Sequence, residues 1–118
     1  MSERRDSDYL HHITEAIFRT ILYTEGMTYE EFVQDTKTHD AVIRNIEIIG
    51  ETVKNLSNDI KASYDEIPWK NMAGMRDKLI HQYFGVNFDI VWNVVQNEFP
   101  NLSEQIKKIT QEIVKYGG

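Results

Sequence analysis

Residues 38–60 read THDAVIRNIEIIGETVKNLSNDI. Val42, Ile46, Ile49, Val53, Leu56 and Ile60 recur at three- and four-residue intervals, the spacing that stacks side chains along one face of an α-helix. This is the strongest period in the chain, and it predicts a long amphipathic helix starting near Thr38. Gly50 interrupts it at about 1 kcal/mol relative to Ala, so another helix is expected to come close there, in one reading across a dimer interface. Arg44 and Asn45 flank the stripe and read either as interface positions or as the wall of a cleft.

The segments on both sides follow the same period. Upstream, Leu10, Ile13, Ile17 and Ile21 form a stripe on a helix from about Ser7 to Glu25, with Gly26 as its stop. Thr28 and Glu31 have the spacing of a capping box for a short helix through Phe32 and Val33. Downstream, Pro68 suits the first position of a helix running to about Phe84, capped by Gly85. A further helix spans about Asp89 to Phe99. Its Ile90, Val91, Trp92, Val94 and Val95 point several ways, which predicts burial on more than one side. Pro100 sits where one helical pattern gives way to the next, and a last helix starts near Asn101, with Glu104 as capping partner and Leu102, Ile106, Ile109 and Ile113 as its stripe. Short connections between amphipathic helices predict an all-α, up-and-down antiparallel bundle of four main helices plus short ones.

At 118 residues the chain is expected to be one domain, 1–118, with its core in about 8–116. Apolar (41%) and charged (27%) fractions are those of a soluble globular protein. Cysteine is absent, which excludes a thiol nucleophile and a cysteine zinc site. No stretch approaches the roughly 20 apolar residues that span a bilayer, and no apolar segment follows the polar start, so the expected location is the cytoplasm. Thirteen basic against 19 acidic residues give a net charge of −6. That argues against a general polyanion-binding module, whereas a nuclease with a small basic site remains open.

The chemistry concentrates in 67–85, IPWKNMAGMRDKLIHQYFG. On a helical wheel Arg76 shares a face with Met72, Leu79, Ile80 and Tyr83. A guanidinium on an apolar stripe needs a partner or a polar cleft. Arg76 is therefore either satisfied by a carboxylate such as Asp65 or Glu66, or lines an anion site to which its forked donors are suited. His81 lies about 140° around an ideal helix from Arg76. The two meet only if the last turn distorts or if a second subunit completes the site. A histidine near a helix C-terminus also has a purely structural reading, favoured by the dipole, and Tyr83 by itself reads as a core tyrosine.

Other pairs carry less. His11 and His12 are adjacent and diverge. Asp35 and His39 are four apart but have no further ligands, so both pairs read as solvated surface. Glu30–Glu31 and Lys107–Lys108 read as exposed helix positions, and Trp69 and Trp92 as core or interface anchors. No H-E-x-x-H, Walker loop or dense carboxylate cluster is present, so a metal-dependent nuclease lacks its ligands and no metal is expected.

Arg76-Asp-Lys-Leu-Ile-His81-Gln-Tyr83 resembles the R-x-x-x-x-H-x-Y motif of HepT-like ribonuclease toxins in the HEPN superfamily. The blocks Asp40–Glu51, Ile67-Pro-Trp69, Gly74–His81, Tyr83-Phe-Gly85 and Asp89-Ile-Val-Trp92 resemble that family's in order, so the likeness covers most of residues 8 to 110. The resemblance implies a HEPN-like helical bundle, a homodimer, and metal-independent cleavage of RNA without a cofactor. It implies Arg76 and His81 as catalytic residues, with Asp77 in support. It also implies a nucleotidyltransferase antitoxin as partner, which uses ATP and magnesium to attach AMP to Tyr83. The chemistry suits these residues. An imidazole with a pKa near about 6.5 can move the 2′-hydroxyl proton, and a guanidinium can steady the charge developing on phosphorus. Two alternatives remain: a non-catalytic helical module that binds nucleotide beside a nucleotidyltransferase, or an antitoxin that restrains a toxic transferase.

Overall fold

Asp6 and Ser57 fix the first helix against the third. The computed structural model describes the backbone of residues 2–80 and 85–117, and the side chains of 5–79 and 85–113. Helix α1 (Ser2–Thr24) leads through α2 (Tyr29–Gln34) into α3 (Thr36–Asn55), followed by α4 (Asn58–Ser63) and α5 (Trp69–Ile80). Helix α6 (Phe88–Asn93) then continues through a π-helical turn, Val94–Glu98, into α7 (Phe99–Gly117). Among the described residues there is no strand.

Three long-range contacts set the directions. Near the start of α1, the buried Asp6 carboxylate accepts from the Ser57 backbone N–H (2.9 Å) and hydroxyl (2.6 Å), just past the end of α3. Thr24, the last residue of α1, accepts from Gln96 (3.4 Å) just before α7. Glu47 of α3 meets Arg76 of α5, while Gly50 lies against Met72 and Ala73. In each pair, later residues of one helix face earlier residues of the other. The bundle is therefore antiparallel, with α5 on α3, α3 on α1 and α1 on α7, the all-α up-and-down architecture expected from the periods.

The core is the sum of those stripes. Leu10, Ile13 and Ile17 of α1 are fully buried against Val42, Ile46 and Ile49 of α3. Burying such a side chain contributes about 1.5–3 kcal/mol. The buried polar groups Thr20 and Thr24 donate to carbonyls of their own helix, Ile17 (2.7 Å) and Thr20 (2.9 Å), which removes the cost of burying a hydroxyl. Trp69 is buried, and its indole N–H donates to the Tyr64 carbonyl (2.9 Å).

Helix ends follow local chemistry. Gly26 takes φ +77 after α1, in the left-handed region that side chains rarely adopt. Thr28 and Glu31 form the expected capping box. Asp35 caps α3, so that helix begins at Thr36, before Thr38. Pro68 precedes the first residue of α5, and its carbonyl accepts from Met72 (3.0 Å).

Other boundaries also differ from expectation, and α1 begins at Ser2, ahead of the expected Ser7. The Val42–Ile60 stripe crosses a break. Leu56 is extended, Ser57 caps α4 through the Ile60 N–H (3.3 Å), and Ile60 belongs to that second helix. Pro100 does not separate two helices. The π-turn places Phe99 N–H on the Val94 carbonyl. Its wider ring accommodates a residue that would otherwise clash with the carbonyl four positions back. Glu104 consequently sits inside α7, 3.7 Å from Lys107, and caps nothing.

Candidate active site on α5

Helix α5 turns Met72 and Leu79 into the core and leaves Lys70, Asp77 and Lys78 in solvent. Its distance from α3 is set by Gly50. A Cβ there would lie 3.3 Å from the carbonyl oxygens of both Met72 and Ala73, so hydrogen in place of a side chain permits the approach. The expectation of a close helix at Gly50 holds, but the neighbour is α5 of the same chain.

That approach carries Glu47, one turn before Gly50, to Arg76, one turn after Met72. The Arg76 Nε donates to Glu47 Oε2 at 2.7 Å, and Nη1 lies 3.6 Å from Asp77 Oδ1. The Arg76 side chain is 40% exposed, so it stands at the solvent edge of the stripe rather than inside it. Its pKa is raised, chiefly by the hydrogen bond to Glu47 and also by the charges of Glu47, Asp77 and Glu51. It is a permanent cation. The partner expected from the sequence was Asp65 or Glu66. Both are exposed in the turn before α5, ten or more residues before Arg76, and Glu47 holds it instead.

His81 and Tyr83 lie outside the described residues. On either side of them the backbone is tied together, since the Asn87 N–H donates to the Leu79 carbonyl (3.3 Å). Gly85 takes φ +97, the left-handed conformation expected of the glycine closing this segment. The structure thus brings together Arg76, Asp77 and Glu47. Sequence reasoning missed Glu47, and the available signal was a carboxylate three residues before the glycine that marks the helix crossing.

A cleft of about 680 Å³ runs along another side of α5, between Lys70, Gly74 and Lys78 and the facing Asp89, Asn93 and Glu98. Its charges are mixed. Beside it, the Tyr29 hydroxyl donates to Asp89, which raises the phenol's pKa. His39 is not the solvated residue expected. Its side chain is 12% exposed, and its ring packs 4.7 Å from Phe88 and 6.3 Å from Phe32. Asp35, its supposed companion, is occupied in capping α3. Arg44 is exposed, whereas Asn45 is buried and donates to the Ala41 carbonyl (2.9 Å). Trp92 is half-buried, 5.2 Å from Phe32. Among the described residues no group of three or more His, Asp or Glu is placed to hold a metal ion, and no helix is long and apolar enough to cross a membrane.

Comparison with known proteins agrees with the family resemblance. Residues 13–109 match the family model described as Ribonuclease HepT-like. The chain is 48% identical to the Methanocaldococcus jannaschii protein "Putative RNase MJ0127" over 105 residues, 89% of this chain and 87% of that one. It is 47% identical to "Probable ribonuclease HepT" of Thermococcus cleftensis over 107 residues, 91% of this chain and 97% of that one. No solved structure matches it. The chain belongs to the HepT-like ribonuclease family.

Proposed function

We propose that this ribonuclease is the toxin of a toxin–antitoxin pair, a homodimeric, metal-independent endoribonuclease that cuts RNA with Arg76 and His81. The observation that carries the reading is a permanent guanidinium, 40% exposed on α5, five residues before a histidine in a chain of this family. Arg76 stabilises the phosphorane. His81 takes the 2′-hydroxyl proton as that oxygen attacks phosphorus, and a second acid, the partner subunit's copy of the same imidazole, protonates the departing 5′-oxygen. Asp77 supports Arg76 from the adjacent position. The family resemblance supplies the partner: a nucleotidyltransferase antitoxin that joins the Tyr83 oxygen to the α-phosphorus of ATP, with magnesium, and releases pyrophosphate. An adenylyl phosphate on Tyr83 then competes with RNA for Arg76.

Purified Arg76→Ala and His81→Ala proteins incubated with total cellular RNA test the site. The reading expects both to remain folded by circular dichroism and to lose cleavage. Cleavage at the wild-type rate by either variant removes that residue from the reaction. Harmless expression of the wild type would favour a non-catalytic module.

A further inference from the structure

Arg76 is 40% exposed, and its innermost donor is committed. A half-exposed arginine samples many rotamers, and a guanidinium that stabilises a transition state must hold one orientation before the charge develops. The Nε–H is the donor nearest the backbone. Bonding it fixes the torsion about Cδ–Nε and thereby the plane of the group, while the terminal Nη edge points elsewhere by covalent geometry. The acceptor, Glu47 Oε2 at 2.7 Å, belongs to a different helix, 29 residues away in sequence. Its backbone is locked to α5 by the Gly50 contact.

A carboxylate is a poor choice if the surface only has to bind RNA. It offsets the cation and repels the phosphate backbone, and Glu51 and Asp77 add to the local negative charge. Orientation is what Glu47 gives in return. We propose that Glu47 is the positioning residue for Arg76, fixing the guanidinium plane from α3 so that its outer edge meets the scissile phosphate. This rests on the reading of Arg76 as catalytic.

Positioning and affinity then move in opposite directions, which a merely structural role would not produce. The substrate is a labelled RNA oligonucleotide containing a cut mapped in total RNA. Affinity is measured on the same oligonucleotide with 2′-fluoro sugars, which cannot react. Glu47→Ala should lower kcat by about 10²-fold, the loss expected from roughly 1 Å of misplacement. It should also bind the 2′-fluoro RNA more tightly than wild type, because a negative charge has gone. Glu47→Gln should bind as tightly as the Ala variant but recover most of kcat, since its amide oxygen still accepts from Nε. Unchanged kcat in Glu47→Ala, with Arg76→Ala inactive, would overturn the positioning role and leave the catalytic arginine standing. So would parallel losses of affinity and rate, or a Gln variant no faster than Ala. An active Arg76→Ala would instead remove the reading beneath it.

Discussion

Gly50 and Ala73 touch backbone to backbone: the place where a Gly50 Cβ would sit is 3.3 Å from the Ala73 carbonyl oxygen, and the Met72 carbonyl is as close. Neither oxygen can swing aside as a side-chain tip could, because both belong to the α5 backbone. Gly50→Ala gains about 1 kcal/mol of helix propensity and loses a similar amount to crowding, leaving Tm near wild type. Gly50→Val adds branched carbons with no compensating room and should destabilise by about 1–3 kcal/mol. Thermal unfolding of the pair checks this. A Val variant as stable as wild type would mean that α3 and α5 are not in contact there.

A buried carboxylate closes the C-terminal end of α3. Asp6 accepts two hydrogen bonds from Ser57, and Ser57 in turn caps α4. Asp6→Ala leaves the part-buried Ser57 N–H without that acceptor and should cost about 1–3 kcal/mol in denaturant unfolding. Ser57→Ala keeps the backbone half of the pair and should cost less. Equal effects would contradict this ranking.

Asp35 gives the fold a pH dependence of known sign. Its pKa is lowered from 3.8, first by the hydrogen bond from the Thr38 backbone N–H and then by that from the Thr38 side chain. A carboxyl depressed in the folded state contributes stability that is present above its unfolded pKa and is lost as pH falls through the folded value. Wild type should therefore lose stability faster than Asp35→Asn below about pH 4, since Asn caps comparably without titrating. Parallel curves for the two proteins would contradict this.

Under the proposed pairing, incubation with a nucleotidyltransferase partner, ATP and magnesium should add an adenylyl group to the chain. Peptide mass spectrometry should locate it on Tyr83, and the modified protein should no longer cut RNA. Tyr83→Phe should escape modification while keeping its nuclease activity. An adduct on Tyr64 or Tyr29 instead would displace the assignment. Both phenols donate to carboxylates, Tyr29 to Asp89 and Tyr64 to Glu112, which raises their pKa.

The helices and their buried faces were legible because each packs a single stripe, and Val42, Ile46, Ile49 and Val53 name the inward face of α3 without any tertiary knowledge. The break at Leu56 was hidden because the stripe keeps its phase across the Ser57 cap, so Ile60 continues a pattern that the backbone does not. Pro100 was read as a separator, since nothing local announces that a π-turn will absorb it. Arg76 was singled out from the sequence as a guanidinium that needs a partner, but that partner, Glu47, was not. Asp65 and Glu66 are near in sequence, whereas Glu47 reaches it only once Gly50 sets the register of two helices. His39 was misread for the same reason, because its neighbours Phe32 and Phe88 converge only in the folded chain.

The end groups of the product test the central claim most directly. Wild-type protein, RNA and excess EDTA should yield fragments with a 2′,3′-cyclic phosphate on one side of the cut and a 5′-hydroxyl on the other, because the 2′-oxygen attacks and the 5′-oxygen leaves. Arg76→Ala and His81→Ala proteins should yield neither. Loss of cleavage in EDTA with recovery on adding magnesium, or 5′-phosphate ends, would contradict the account.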